Sequence, residues 1–309
     1  MIAIEAKNLT RKFGKFIAVD QIHFVIHYGD IFGFLGANGA GKSTTIRMLC
    51  GILAPTSGTA VVGDHDVVKD PEQVKHAIGY VSQKFSLYTD LTVEENLKFY
   101  GRIYRLSEAK LRQRIDEVFD LTGLGTFRSR ISGELSGGWK QRLAVANGLL
   151  HEPRILFLDE PTAGVDPVSR RALWELLYQL ADSGVALFVT THYMEEAERC
   201  NQIAFISQGR ILRIGKPAEL RGGLPGKILE VECIPLMKAS RVLSRLPGVL
   251  KTTAYGTTIH LNVENPKSII PSIHASAREH DFRVSEIKEI PASLEDVFAT
   301  LSEATHAVH

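Results

Sequence analysis

Long apolar runs mark buried strands in this chain. Residues 31–35 (IFGFL), 155–158 (ILFL) and 185–190 (VALFVT) are almost wholly apolar, which is typical of parallel strands covered on both faces. Two weaker strand candidates, at residues 2–9 and 22–26, precede the first of these runs. The pattern therefore predicts a sheet whose central strands are buried.

Helical segments alternate with these strands. Residues 42–50 form one, which ends at Gly51, a residue suited to the position after a helix. Asp166 followed by Pro167 combines an N-cap residue with a proline at the first helical position, and predicts a helix that extends to about Asp182. Alternating strands and helices indicate a parallel α/β core.

A helical block interrupts this alternation at about residues 91–150. Thr92 and Glu95 have the spacing of a capping box. Ser107 is placed to cap a second helix, whose apolar residues recur at helical spacing: Leu111, Ile115, Val118 and Phe119. We expect this block to be inserted into the α/β core.

Glycine and proline in residues 221–226 (RGGLPG) mark a boundary after the core. Just before it, residues 203–206 and 210–214 predict a hairpin around Gln208-Gly209. Beyond it, strands are predicted at 228–234, within 250–263 and at 284–290, with helices at 237–246, 268–280 and from 293. We expect one domain at residues 1–222 and a small α+β domain at residues 227–309.

Composition and charge exclude several classes of protein. The chain has 309 residues, 44% hydrophobic and 23% charged, and its net charge of +1 argues against nucleic acid or anionic lipid as the main partner. The three cysteines lack disulfide or metal-ligand spacing, which fits a reducing cytoplasm. No apolar run approaches the roughly 18 residues that cross a bilayer, and the N-terminal residues do not resemble a signal peptide. We expect a soluble chain that reaches a membrane only through a partner.

A phosphate-binding loop follows the first buried strand. Residues 36–43 (GANGAGKS) fit the pattern G-x-x-x-x-G-K-[ST] and lie between a strand and a helix, a context that favours function over a chance match. Glycines allow backbone N–H groups to surround phosphate oxygens, and the helix N-terminus adds partial positive charge. We expect Lys42 to reach the β- and γ-phosphates and the Ser43 hydroxyl to bind Mg²⁺.

Two carboxylates, Asp159 and Glu160, follow the buried run at residues 155–158. A buried strand brings its last residues to the carboxyl edge of the sheet, where α/β proteins bind ligands. Asp159 is placed to hold Mg²⁺, directly or through water, and Glu160 to orient or deprotonate the attacking water. Without the phosphate loop, a solvated pair at a strand end would be the better interpretation.

A second glycine-rich segment, residues 135–142 (LSGGWKQR), precedes a further helix. Small residues at a helix start leave N–H groups exposed and make an anion site. One phosphate loop and one additional anion-binding helix start indicate composite sites, each completed by another copy. By itself, the segment would be interpreted as a simple glycine-rich turn.

With these motifs in this order over about residues 1–220, the chain resembles the nucleotide-binding subunits of ABC transporters. The resemblance implies an α/β P-loop NTPase core with an antiparallel β subdomain and an inserted helical subdomain. It also implies that residues 136–139 are the signature motif, which contacts the γ-phosphate from the opposite subunit. Residues 163–166 correspond to the loop that crosses the dimer interface.

The same resemblance implies roles for individual residues. Phe13 matches the aromatic residue that stacks on adenine, Gln83 the glutamine that contacts Mg²⁺ and the attacking water, and His192 the histidine that contacts the γ-phosphate. The catalytic candidates are then Glu160, His192 and Gln83, and the candidate Mg²⁺ ligands are Ser43, Gln83 and Asp159. The candidate ATP contacts are Phe13, Gly36, Ala37, Asn38, Gly39, Ala40, Gly41, Lys42, Ser43, Thr44, Gln83, Ser136, Gly137, Gly138 and Asp166.

Two positions depart from the family's usual pattern. The signature ends in Trp139, where Gln is commonest, although some export-type members carry Trp. Asn147-Gly148 occupies a helix position at which the family has better helix formers, and the glycine costs about 1 kcal/mol relative to alanine. Neither departure removes a phosphate contact.

Residues 85–97 and 291–298 resemble the export-type subgroup that works with ABC-2 permeases. By that resemblance Phe85, Leu87 and Tyr88 help to form a groove for a permease helix; the alternative is that they are ordinary core residues. For the tail we expect a structural or dimer-stabilising role. The expected partners are a membrane permease and a second copy of the chain or a paralogue, with no nucleic acid, at the inner face of the cell membrane.

Two other classes of function are open to such an ATPase. Soluble relatives act in DNA repair, translation or cluster assembly, but repair types carry long coiled-coil insertions and translation types usually hold two ATPase units. The sequence has neither feature. A regulator that binds nucleotide without turnover is disfavoured by the intact Glu160 and His192. We therefore adopt the ATP-hydrolysing subunit of an exporter as the interpretation.

Overall fold

The computed structural model describes residues 1–83 and 86–306, which fall into two compact units. The first unit is Met1–Arg213 and the second is Ile214–His309. The domain limits expected from the sequence, 1–222 and 227–309, stay a prediction. Within the described part of the chain, no helix is long and apolar enough to cross a membrane.

The elements that begin in the first unit are numbered in chain order. Its strands are β1 (Ile2–Phe13), β2 (Phe16–His27), β3 (Ile31–Leu35), β4 (Ser57–Val62), β5 (His65–Asp66), β6 (Ile78–Val81), β7 (Ile155–Asp159), β8 (Ala186–Thr191), β9 (Gln202–Ser207) and β10 (Arg210–Gly215). Its helices are α1 (Lys42–Leu49), α2 (Pro71–Ala77), α3 (Val93–Ile103), α4 (Glu108–Thr122), α5 (Gly137–Leu149), α6 (Pro167–Asp182) and α7 (Met194–Ala197).

A six-stranded sheet lies at the centre of the first unit, with the strand order β10-β9-β3-β8-β7-β6. β3 pairs with β8 and β9, and β7 pairs with β6 and β8, all in parallel. Every residue of β3, β7 and β8 is buried. The sequence prediction of buried central strands is confirmed, and the carboxyl ends of these strands meet at one edge of the sheet.

An antiparallel sheet, with the order β2-β1-β4-β5, packs against this centre. Its hairpin β1–β2 is longer than the runs predicted at residues 2–9 and 22–26, because irregular register shifts interrupt the apolar alternation. Phe24 of β2 stacks on Phe32 of β3 at 5.3 Å between ring centroids, and packs against Phe188 of β8 in a tilted arrangement at 6.0 Å. These aromatic contacts join the two sheets in one core.

The predicted helix starts are confirmed. Thr92 accepts a hydrogen bond from the Glu95 backbone while Glu95 accepts one from the Thr92 backbone, so the capping box is complete at α3. Ser107 caps α4 and Asp166 caps α6 through their side chains. Because each cap acts within three residues, such signals can be read directly from sequence.

The second unit begins with α8 (Pro217–Gly222) and then has the element order β11 (Lys227–Ile234), α9 (Leu236–Leu243), β12 (Val249–Tyr255), β13 (Thr258–Val263), α10 (Pro266–Glu279), β14 (Arg283–Ile290) and α11 (Leu294–His306). Its strands form an antiparallel sheet with the order β12-β13-β11-β14. This βαββαβ arrangement is that of ferredoxin-like domains. Apolar residues of β11, β13, α9 and α10 share its core, and the predicted small α+β architecture is present.

Candidate active site

The phosphate loop joins the buried strand β3 to α1 through a tight backbone path. Gly39 and Gly41 have left-handed φ angles of 80° and 110°, which other residues rarely adopt. A Cβ atom on Gly36 would lie 2.3 Å from the carbonyl oxygen of Ile206, and one on Gly41 would lie 2.6 Å from that of Ala18. The loop can therefore be built only with glycine at these positions, as its sequence pattern predicts.

The Lys42 ammonium group lies inside this loop. Its Nζ donates to the Gly36 carbonyl at 2.7 Å and to the Ala37 carbonyl at 3.3 Å. The same atom is 3.2 Å from Glu160 Oε1, and the two side chains are only 5% and 9% exposed. A buried cation between a loop of backbone N–H groups and a carboxylate is positioned to meet an incoming polyphosphate.

Asp159 is a buried carboxylate at the end of β7. Its Oδ1 accepts a hydrogen bond from Thr190 Oγ1 at 2.6 Å and lies 3.5 Å from the Ser43 hydroxyl. A carboxylate and a hydroxyl are the hard oxygen donors that Mg²⁺ prefers. Together with the glycine-lined loop, this donor set fits a magnesium-bound polyphosphate.

Glu160 is the residue at which three predicted site residues converge. It has a left-handed φ of 49°, and its backbone N–H donates to the Thr190 carbonyl and hydroxyl at 3.1 and 3.0 Å. Its Oε2 accepts a hydrogen bond from Gln83 Nε2 at 3.0 Å and lies 3.3 Å from His192 Nδ1. With Lys42 on the other oxygen, the carboxylate is held on both sides, so the geometry favours an oriented general base.

The signature segment lies at the start of α5. Ser136 is the N-cap residue, its side chain makes no capping hydrogen bond, and both Ser136 and Gly137 are exposed. Gly138 is buried because it packs on α6: a Cβ atom there would lie 2.3 Å from Ser169 Oγ. Trp139 lies 4.6 Å from the Phe127 ring, so this departure from the family pattern has a packing role.

Asp166 caps α6 by accepting a hydrogen bond from the Ser169 backbone at 2.9 Å. Hydrogen bonds from the Ser169 side chain and then from its backbone lower the pKa of Asp166. Phe13 is 47% exposed, and the Arg11 guanidinium lies 4.6 Å from its ring centroid. Within residues 1–83 and 86–306, no hydrogen bond or ion pair joins Phe13, Asp166 or residues 136–138 to the phosphate loop. The fold of one chain thus brings Lys42, Ser43, Gln83, Asp159, Glu160 and His192 together at the phosphate loop. It leaves Phe13, Asp166 and residues 136–138 apart from that loop.

Some residues of the site have no clear signal in the sequence. The Thr190 hydroxyl donates a hydrogen bond to Asp159 and accepts one from the Glu160 backbone. In the sequence, this residue is marked only by its hydroxyl near the end of an apolar strand. Glu196 is a buried carboxylate on α7, and it accepts a hydrogen bond from the Thr162 hydroxyl. Phe85, predicted to contribute to a permease groove, lies outside the described residues.

Comparison with known proteins decides the family. A family model described as ABC transporter matches residues 19–163. The Nod factor export ATP-binding protein I of Cupriavidus metallidurans is 35% identical, over 97% of this chain and 97% of its own length. The chain belongs to the family of ABC transporter ATP-binding proteins. Its predicted family and its ATP-binding, export-type relationship are confirmed.

Other members of this ABC family match over different spans. The daunorubicin/doxorubicin resistance ATP-binding protein DrrA of Streptomyces peucetius is 36% identical over 97% of this chain and 92% of its own length. The probable multidrug ABC transporter ATP-binding protein YbhF of Escherichia coli is 47% identical over 71% of this chain. That match spans only 38% of the length of the Escherichia coli protein.

Solved ABC structures have the same fold as the first part of this chain. The structure of cbiO1 from Clostridium perfringens, part of the transporter complex cbiONQ, has a TM-score of 0.67 and 28% identity, over 72% of this chain and 91% of that one. A dimeric bacterial ABC transporter cassette has a TM-score of 0.62 and 28% identity, over 69% of this chain and 98% of that one. The predicted α/β P-loop fold is confirmed.

Proposed function

We propose that this ABC protein hydrolyses ATP to ADP and phosphate and thereby drives export through a separate membrane permease. The observation that carries the proposal is the Glu160 carboxylate, held by Lys42, Gln83 and His192 beside the phosphate loop. A regulator without turnover has no need of an oriented carboxylate at this place. A solved cassette of 28% identity, in a post-hydrolysis state with ADP and phosphate, supports the same chemistry.

In this proposal the residues of the site have distinct tasks, and Gln83 has two of them. Lys42 binds the β- and γ-phosphate oxygens, in exchange for its present contact with Glu160. Glu160 then orients the attacking water and accepts its proton, while His192 and Gln83 keep the carboxylate in place. Ser43, Asp159 and Gln83 hold Mg²⁺, which when bound neutralises charge on the phosphate oxygens.

Two copies of the chain, or one copy and a paralogue, form the complete site. Ser136 and Gly137 are exposed at the start of α5 and have no bond to the phosphate loop of their own chain. An exposed helix start presents free N–H groups to an anion, and here that anion is the γ-phosphate bound by the opposite copy. Asp166 belongs to the loop that crosses the interface between the two copies, and Phe13 stacks on the adenine ring of ATP.

The permease contact is an apolar surface on α3 and the segment before it. Tyr88 is 47% exposed, and its ring lies 4.3 Å from Phe99. An open cavity of about 520 Å³ adjoins this pair, and Leu91, Phe99 and Ile103 line it with Glu95, Lys98 and Arg102. This surface begins only a few residues after Gln83 in the chain. Movement of a docked helix would therefore displace Gln83, which contacts Glu160.

The occupant that we propose for this surface is an amphipathic helix of an ABC-2 type permease. Apolar side chains in the cavity and charged side chains around it match the two faces of such a helix. The chain is then a peripheral protein at the inner face of the cell membrane. Residues 227–309 form an accessory domain after the ATPase domain at residues 1–222.

Phosphate release and size by light scattering test the proposal. We expect Glu160→Gln to reduce turnover by about 10²–10⁴-fold while nucleotide still binds, and to form a dimer when Mg·ATP is added. The control is Glu175→Gln, which changes an exposed carboxylate on α6 and should retain normal turnover. Near-normal turnover in Glu160→Gln would overturn the assignment of the base. Co-purification with a membrane permease, rather than with nucleic acid or a ribosome, supports the transport role.

A further inference from the structure

Glu196 is a buried carboxylate whose partners come from two other segments. Its side chain is 1% exposed, and Oε1 accepts a hydrogen bond from the Thr162 hydroxyl. The same oxygen lies 3.7 Å from Arg170 Nε on α6. Because a buried charge is destabilising unless it is paired, Glu196 ties α7 to α6 and to the segment that follows Glu160.

Arg170 has a second contact, with an aromatic ring. Its guanidinium carbon lies 4.7 Å from the centroid of the Tyr193 ring, a cation–π distance. The Tyr193 ring in turn lies 4.1 Å from the His192 ring, between centroids. Arg170 thus packs behind Tyr193, and Tyr193 packs behind the histidine that contacts Glu160.

These contacts form a closed circuit that includes the catalytic carboxylate. His192 Nδ1 lies 3.3 Å from Glu160 Oε2. Along the chain, Glu160 is followed by Pro161 and then by Thr162, whose hydroxyl returns to Glu196. Displacing Glu196 therefore affects Glu160 by two routes, one through the backbone and one through the imidazole.

The first turn of α6 also touches the signature helix. Ser169, the neighbour of Arg170, packs so closely on Gly138 that a Cβ atom there would lie 2.3 Å from Ser169 Oγ. The start of α5 and the imidazole of His192 are thus connected through Ser169 and Arg170, adjacent residues of one helical turn, and then through Tyr193. A shift of the signature segment can therefore be transmitted to the catalytic residues through a few packed side chains.

We infer that Arg170 and Glu196 are positioning residues that fix the imidazole of His192 through Tyr193, and with it the orientation of Glu160. This inference rests on the proposed ATP hydrolysis. Among residues 1–83 and 86–306, no hydrogen bond or ion pair joins either side chain to the phosphate loop or to Glu160, so neither is a catalytic residue. Arg170 Nε and Glu196 Oε2 have no hydrogen-bond partner in the described part of the chain, and at 3.7 Å the ion pair has room to shorten.

The kinetic test uses the full chain with Arg170→Ala, Arg170→Lys and the neighbouring control Arg171→Ala. A small misplacement of catalytic groups lowers the chemical step more than substrate binding, so we expect kcat to fall about ten- to hundredfold in Arg170→Ala, with KM for ATP little changed. Arg170→Lys keeps the charge but loses the planar stacking on Tyr193, and should give an intermediate kcat. Arg171 is exposed, and Arg171→Ala should have the kcat and the KM for ATP of the wild type.

A second measurement needs no nucleotide. Side-chain NMR signals of His192, assigned from their loss in His192→Gln, should shift in Arg170→Ala and in Glu196→Gln but not in Arg171→Ala. Glu196→Gln preserves an oxygen for the Thr162 hydroxyl while it removes the charge, so it also serves if Arg170→Ala does not fold.

The outcomes separate this inference from the proposed function. If the wild type releases no phosphate, the proposed function is wrong, and the NMR signals still test the contacts. If the wild type is active but Arg170→Ala equals Arg171→Ala in kcat and in the His192 signals, the positioning role is wrong. A fall in kcat with unchanged His192 signals also overturns it, because the effect would then not pass through the imidazole.

Discussion

Gly79 of β6 and Gly148 of α5 meet backbone to backbone. A Cβ atom on Gly79 would lie 2.4 Å from the carbonyl oxygen of Gly148. This contact places the helix that begins with the signature segment directly on the strand that leads to Gln83. The contact requires glycine at position 79, where a Cβ atom would collide, and not at position 148.

The two glycines should respond in opposite ways to alanine. A Cβ atom on Gly148 would meet its nearest atoms at 3.5 Å, an ordinary contact distance, so Gly148→Ala should stabilise the chain by about 1 kcal/mol through helix propensity. Gly79→Ala would collide with backbone and should destabilise it by about 1–3 kcal/mol. Urea unfolding of both variants measures these changes in the free energy of unfolding. Changes of the same sign and size in the two variants would contradict the contact.

Lys42→Ala should weaken ATP binding. The variant removes the cation that reaches into the loop of N–H groups, whereas Gln83 and His192 still hold Glu160. We expect at least a tenfold loss of affinity, equivalent to about 1.4 kcal/mol, measured by titration calorimetry with Mg·ATP. Lys69→Ala, at an exposed position, is the charge-matched control. Unchanged affinity in Lys42→Ala would reject the assignment of the phosphate loop.

Trp139→Gln should affect stability rather than catalysis. Trp139 packs on Phe127 at 4.6 Å and lies 5.1 Å from the Arg142 guanidinium, and such aromatic pairs contribute about 0.5–1.5 kcal/mol beyond burial. Ser136 and Gly138 are unchanged, so kcat should remain within about twofold of the wild type. Thermal unfolding and phosphate release check the two parts. A large fall in kcat without loss of stability would show that the indole acts on the site itself.

Glu94 makes stability depend on acid pH. Hydrogen bonds from Arg128 and Lys98 lower the pKa of Glu94 from 4.5 to about 2. Because the folded pKa is the lower one, this stabilisation is complete above the unfolded pKa and is lost as pH falls from about 4.5 towards 2. In urea unfolding, the free energy of unfolding should be larger for the wild type than for Glu94→Gln at neutral pH. This difference should shrink as the pH falls through the same range.

The control for the Glu94 prediction is Glu175→Gln, at an exposed position on α6. Its difference from wild type should stay small at every pH, because exposed carboxylates contribute little. A difference between wild type and Glu94→Gln that does not vary with pH would show that Arg128 and Lys98 do not stabilise the charged form.

Local signals made much of the fold predictable. The capping residues Thr92, Ser107 and Asp166 act within three residues of chain, and the strand at Ile31–Leu35 has the predicted limits. The four-residue strand β6 has no counterpart in the predicted elements, since so short a run has no distinguishable period. Its neighbours in the sheet, not its own sequence, make it a strand.

The chemistry of this protein is readable from one short stretch, because the glycines, lysine and serine of a phosphate loop all lie within eight successive residues. The meeting of Gln83 and His192 at the Glu160 carboxylate depends on the folded chain, since the three residues follow three strands that are far apart in the sequence. The supporting circuit of Arg170, Tyr193 and Glu196 likewise depends on the folded chain. Parallel pairing brings the carboxyl ends of distant strands to one edge, and no local pattern specifies which side chains will meet there.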